Sequence, residues 1–148
     1  MKTPMPSAAH DAEPTRSSTR VVMLGTGNPR PDPERSGPAT AIVVNDTPYL
    51  VDFGPGVIRR ASAAYRNGVT ALGYGGVIIN TVFLTHLHSD HTAGYPDLIF
   101  TPWVMGRHEP LAVYGPKGIA AMTEHVLAAW QVDIVARTNG LNRHNPTG

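Results

Sequence analysis

The sequence predicts a mixed α/β fold, and three observations carry that prediction. Short β-branched and aromatic runs at 20–24, 40–44, 49–52, 80–84 and 111–114 alternate with helically spaced stretches at 57–67, 95–104 and 117–135. Glycine, proline, asparagine and aspartate cluster between these runs, where turns are needed. A length of 148 residues with 41% hydrophobic content suits one domain with a real core.

Taken in order, residues 1–19 carry Pro4, Pro6 and Pro14 without hydrophobic periodicity and are expected to form a flexible tail, leaving 20–148 as the folded portion. A first strand at 20–24 runs into a long loop at 25–38. Gly25-Thr26-Gly27 lacks the later glycine of a dinucleotide fingerprint and the Gly-Lys-Ser/Thr of a phosphate loop, so it reads as a tight turn. Thr40 to Asp52 is expected to be a hairpin turning at Asn45-Asp46-Thr47-Pro48, with Asp52 at its exit. A helix over 57–67 places Val57, Ala61, Ala64 and Tyr65 on one side, leaves Arg59, Arg60 and Arg66 to solvent, and stops at Gly68.

Residues 80–84 read as a buried strand. The segment 95–104 is expected to be a short helix, broken or kinked at Pro102. After a strand at 111–114 and a turn at Gly115-Pro116, one long helix is predicted from Lys117 to about Val135. Its stripe of Ile119, Met122, Val126, Trp130 and Ile134 belongs in the core. From Arg137 to Gly148 the pattern dissolves into Thr, Asn, Gly and Pro.

Chemistry concentrates in Thr85-His86-Leu87-His88-Ser89-Asp90-His91. Three of the chain's seven histidines and one carboxylate fall within six residues, directly after an apolar run. Neutral imidazole and carboxylate both suit zinc, and the alternation of His86, Leu87 and His88 puts two rings on one side of an extended backbone. The plainer alternative is a hydrogen-bonded histidine cluster in a surface loop. With no cysteine in the chain, histidine and carboxylate are the only strong ligands available. Asp52, at a strand end near this loop, is expected to orient a ligand imidazole through its second ring nitrogen or to cap the helix near Val57. His108 and His125 read as loop and helix-surface residues, and His144 carries no assignment.

The His-x-His-x-Asp-His constellation resembles the hallmark of the metallo-β-lactamase-fold hydrolases. Val21-Val22-Met23-Leu24-Gly25-Thr26-Gly27 is similar to that family's first strand and glycine turn. Asp52 is similar to its strand-terminal aspartate, and Thr92-Ala93-Gly94-Tyr95-Pro96-Asp97-Leu98 resembles the segment after the hallmark in the ribonuclease Z-like and arylsulfatase-like branch. The resemblance spans about residues 21–134 and implies an αβ/βα sandwich of which this chain holds the first half. It also implies two zinc ions, His86 and His88 serving one, Asp90 and His91 the other. Asp90 would also pass a proton to the leaving group. Such a pair activates water for attack on an ester, with phosphodiester or sulfate ester as the substrate class of that branch. Further histidines and a bridging aspartate from a second half have no counterpart before Gly148, so the chain alone is expected to hold one zinc or none. One departure stands out: ribonuclease Z proper carries Cys-Gly-Glu-Gly after the aspartate, where this chain reads Phe53-Gly54-Pro55-Gly56, which weighs against tRNA 3′ processing.

A net charge of +1 and a pI near 8.2 give no strong field for nucleic acid, which remains a possible partner unsupported by charge. Asn28, Arg30 and Arg35, bordering the cleft, are candidates to meet an anionic group. No run approaches the roughly 18 apolar residues of a membrane span, and the N-terminus lacks a secretory core, so a soluble, cytoplasmic protein is expected. A half-sandwich leaves an apolar sheet face uncovered, through residues such as Val82, Leu84, Ile42 and Val44, which predicts self-association or a missing C-terminal half. The alternative to a hydrolase is a non-catalytic metal-binding or interaction module.

Overall fold

The computed structural model describes residues 18–139 and builds them around a five-stranded sheet in sequential order. Strands β1 (Thr19–Gly25), β2 (Ala39–Val44) and β3 (Thr47–Val51) form an antiparallel meander, while β4 (Thr81–Phe83) and β5 (Ala112–Tyr114) join in parallel. Thr19 therefore belongs to β1, and its neighbour Ser18 donates its backbone N–H to Asn45 Oδ1 at 2.9 Å. The rest of the expected tail and residues 140–148, His144 among them, lie outside the described region, whereas residues 137–139, where the pattern was expected to dissolve, are helical.

The β2–β3 turn is shorter than the sequence pattern suggests. Asn45 and Asp46 alone make it, with φ of 47° and 65°, and Thr47 and Pro48 already sit in β3. Two consecutive positive φ values match the twist of the flanking strands, and Asn and Asp tolerate them. The change from antiparallel to parallel pairing at β3/β4 requires a crossover, which α1 (Val57–Arg66) and two short 3-10 turns supply. Two further helices follow β4: a single turn, α2 (Ser89–Thr92), and then α3 (Tyr95–Val104). The crossover helices pack on one sheet face, where Leu24, Ala41, Leu50, Val82 and Leu84 meet Val57, Ile58, Ala61 and Leu98 in one buried core. Val82 and Leu84, expected on the bare face, are thus covered, at 0% and 5% exposure. Strand alternation assigns them to the helix side together with Leu50, the cross-strand neighbour of Val82.

Helix α3 runs unbroken through Pro102, contrary to the expected break. Pro96 occupies the first turn, where a missing N–H is harmless. Pro102, inside the helix, takes the usual donor from the Leu98 carbonyl. The buried Arg107 guanidinium replaces it, Nη1 donating to Leu98 O at 3.1 Å and Nη2 to Ile99 O at 3.0 Å. A side chain returning from the next loop thereby keeps the helix in one piece.

The long C-terminal helix divides in two. α4 (Ile119–Ala129) and α5 (Gln131–Asn139) are separated at Trp130, whose φ of −99° and ψ of 13° leave the helical region while its ring stacks on Phe100 with centroids 5.5 Å apart. The expected stripe divides with it: Ile119, Met122 and Val126 pack against the core, whereas Trp130 is 40% exposed. Neither helix contains a fully buried residue.

Candidate metal centre

The site lies where β3 and β4 end side by side. Asp52 follows β3 with φ of 60°, a left-handed conformation that aspartate tolerates better than most residues. Its backbone N–H still donates to Phe83 O at 2.8 Å, so the ladder is intact up to this point. Beyond it the side chain takes over, Oδ1 accepting from Thr85 N at 2.8 Å and from Thr85 Oγ1 at 2.9 Å. Asp52 is 6% exposed, and helix α1 has Gly56 as its N-cap, with no side-chain capping hydrogen bond. Its carboxylate is committed to the histidine loop rather than to the helix.

That loop folds back as α2. His91 sits near its end, its carbonyl accepting from Phe53 N at 3.0 Å and its Nδ1 lying 2.8 Å from Asp52 Oδ2. The opposite ring nitrogen, Nε2, is 3.6 Å from Asp90 Oδ2. His86 lies between the other two imidazoles, its ring centroid 4.1 Å from His91 and 4.5 Å from His88. Glycine permits this closeness. A Cβ on Gly54 would stand 2.5 Å from the Asp90 carbonyl oxygen, so only a bare backbone lets the segment after Asp52 lie against the loop.

The four residues of the motif are therefore neighbours around the end of two strands. Among the described residues, however, no three His, Asp or Glu donors share one centre at ligand distance, and the imidazoles touch one another at tilted and edge angles. The donor chemistry still fits a zinc ion: His91 is held by its Nδ1, which leaves Nε2 beside a carboxylate oxygen. His108 and His125 are exposed and make no ring contact with the cluster.

Beside the cluster opens a depression of about 640 Å³, whose walls include Arg30, Arg35, Ser36, Ser89 and Asp90. The β1–β2 loop is braced over it by Gly27 N donating to Ser36 O at 2.8 Å and Gly37 N to Pro55 O at 3.0 Å. Asn28 also lines it, but its Oδ1 accepts from Arg30 N at 3.0 Å and so serves the loop's own turn. Among the described residues neither Arg30 nor Arg35 forms an ion pair. Phe53, part of the departure from Cys-Gly-Glu-Gly, is fully buried and stacks on Tyr95 with centroids 4.6 Å apart, so that position serves packing beneath the site. Sequence reasoning passed over Thr85, although a hydroxyl directly before the first histidine was the available signal.

A mixed sheet carrying a histidine- and aspartate-rich loop at the ends of its parallel strands defines the class. Residues 32–142 match the family model described as the metallo-beta-lactamase superfamily, and the chain belongs to that superfamily. Ribonuclease Z from Mycobacterium bovis is 43% identical over 117 residues, covering 77% of this chain and 39% of the relative. Ribonuclease Z from Mycolicibacterium gilvum is 41% identical over 117 residues, covering 77% of this chain and 38% of the relative. The chain thus spans about two fifths of the length of these relatives. Among solved structures, the short form of human tRNase Z matches with a TM-score of 0.62 and 26% identity over 77% of this chain and 40% of its own. The metallo-beta-lactamase fold protein YhfI from Bacillus subtilis shares the fold, with a TM-score of 0.56 and 23% identity over 73% of this chain and 41% of that one.

Proposed function

We propose that this chain carries the first metal-ligating portion of a zinc-dependent phosphodiester hydrolase. The observation that carries the reading is the anchored His91: Asp52 holds Nδ1 at 2.8 Å, and Nε2 faces Asp90 Oδ2 at 3.6 Å. A ligand imidazole held in this way is pre-oriented. In this reading His86 and His88 would hold one zinc, and Asp90 and His91 the other. When bound, zinc supplies Lewis acidity, acidifying water and polarising a phosphoryl oxygen. Asp90 would take a proton from the attacking water and pass it to the leaving-group oxygen, and Asp52 would keep His91 in place. Arg30 and Arg35, without an ion pair among the described residues and on the wall of the adjoining depression, suit an anionic phosphodiester. The names of the ribonuclease Z relatives support a phosphodiester, RNA included, over a sulfate ester.

Each zinc site normally takes about three protein ligands, so four neighbouring ligands leave two sites incomplete. The purified chain is therefore expected to bind at most one zinc, weakly, and to turn over bis(p-nitrophenyl) phosphate slowly. Zinc titration with parallel turnover assays tests both halves of the reading. No zinc binding, with His88→Ala indistinguishable from the parent, would remove the metal centre. Robust turnover lost in His88→Ala would show that the ligand set is completed by other residues or a second copy.

A second reading is a non-catalytic module. It is favoured by the exposed aromatic sheet face of Phe83 and Tyr114. Zinc binding without turnover, even after adding a polypeptide that supplies the remaining portion of such a domain, would select it.

A further inference from the structure

Thr85 stands at the centre of the hydrogen bonds behind the histidine cluster, and nothing in the motif accounts for it. Its Oγ1 lies 2.9 Å from both Asp52 carboxylate oxygens and 2.9 Å from His86 Nδ1. A threonine hydroxyl has one hydrogen to give. Asp52, as a carboxylate, only accepts, and its Oδ2 already takes the His91 Nδ1 contact at 2.8 Å. If Thr85 gave its hydrogen to His86, its oxygen would face both carboxylate oxygens at 2.9 Å with no hydrogen between them. The favourable arrangement has Thr85 donating to Asp52, and its oxygen is then left as an acceptor. His86 Nδ1 must carry the proton.

We infer that Thr85 is a positioning residue which, together with Asp52, locks His86 and His91 in the same Nδ1–H tautomer, leaving both Nε2 lone pairs bare for a metal. One buried carboxylate thereby orients two imidazoles, His91 directly and His86 through a single hydroxyl. The two rings belong to different metal positions in the function proposed above, on which this inference rests for its purpose. The tautomers themselves depend only on the hydrogen bonds. Thr85 is fixed for this task by its own backbone, since its N–H donates to Asp52 Oδ1 at 2.8 Å and the strand before it pairs with both neighbours. The hydroxyl thus has a defined direction rather than a free rotor's choice.

The test is nitrogen NMR of the histidine rings in the metal-free 148-residue protein, at about pH 8, above the ordinary imidazole range near 6.5. Long-range proton–nitrogen correlations distinguish a protonated Nδ1 from a protonated Nε2. The expected result is Nδ1–H for both His86 and His91. Thr85→Val should release His86 to the other tautomer while leaving His91 unchanged, and Thr85→Ser should restore the parent pattern. In chelator competition, Thr85→Val should weaken zinc binding about 10–100-fold, with Thr85→Ser near the parent. Finding Nε2–H on His86 in the parent overturns the inference and needs no variant to fold. An unchanged His86 tautomer in a folded Thr85→Val protein overturns it equally. Correct tautomers with no zinc bound at all would keep the lock and discard the metal centre, so the two readings fail separately.

Discussion

The two faces of the sheet are built from the same kinds of residue and have opposite fates. On one, Leu24, Ala41, Leu50 and Val82 are buried beneath α1 and α3. On the other, the cross-strand row Met23, Thr40, Val51, Phe83 and Tyr114 leaves Met23 at 59%, Phe83 at 42% and Tyr114 at 57% exposure. Phe83 and Tyr114 stack with centroids 5.4 Å apart, an aromatic pair on a surface without a cover among the described residues. Alternation therefore separates the faces without saying which one is dry. What decides it is the crossover, which places the helices on one side.

The largest effect should come from truncation on the covered face. Leu50→Ala opens a cavity at a fully buried position and should lower stability by about 2–5 kcal/mol. Met23→Ala on the open face should change it by about 0.5 kcal/mol or less. Urea melts of both variants measure the contrast. Melts at a dilution where the chain is monomeric isolate the two faces, and equal losses there would mean that the open face packs against part of its own chain.

The open face itself should drive association. Apolar area is worth about 25 cal/mol per Å², and a domain keeps only about 5–15 kcal/mol of net stability. Several hundred Å² left wet would consume much of that margin. The parent is expected to sediment as an assembly, and Phe83→Lys with Tyr114→Lys to shift it towards monomer. A monodisperse parent monomer with a sharp cooperative melt would break the comparison, because the exposed face would then carry no penalty.

The sequence disclosed this architecture unevenly. All five strands were legible because each is short, β-branched and bounded by turn residues. The histidine loop was legible because its donors are contiguous. Val82 and Leu84 were put on the bare face because strand period alone does not choose between two apolar sides. The break at Trp130 was hidden because its apolar spacing continues into Ile134, and only its stacking on Phe100 reveals the kink. Pro102 signalled a break that Arg107, five residues on and unrelated by periodicity, repairs. At the site, Asp52 was found as a strand-end carboxylate, whereas the role of Thr85 depends on a three-way contact that no linear spacing encodes. Family membership follows from the match over 32–142.

A smaller effect within the covered layer concerns that repair. Arg107 is buried, burial pulls its guanidinium below its ordinary pKa, and among the described residues it has no carboxylate partner. Its role is to serve the carbonyls of Leu98 and Ile99. Arg107→Met should leave these acceptors unpaired and cost about 1–3 kcal/mol. In a Pro102→Ala background the loss should shrink, because the restored N–H can pair with Leu98 O. A chemical-denaturation cycle over the four proteins measures the coupling, and strict additivity would dissociate Arg107 from Pro102.

The smallest effect lies where the covered layer meets α4. Thr123 Oγ1 donates to Ile119 O at 2.9 Å, so the Tyr95 hydroxyl, 2.7 Å away, must donate to Thr123. Burial raises the Tyr95 pKa above 10.0. A group that holds its proton more tightly when folded contributes stability that is complete below the unfolded pKa, about 10. That contribution drains away as pH rises through the folded value. Tyr95→Phe should therefore cost about 0.5–1.5 kcal/mol near neutrality, the net worth of one hydrogen bond. The deficit should narrow above about pH 10, where only the parent meets the penalty of ionising a buried phenol. Melts of the two proteins across the alkaline range measure this, and a gap that widens with pH would show that Tyr95 ionises freely, with its hydroxyl in water rather than under α4.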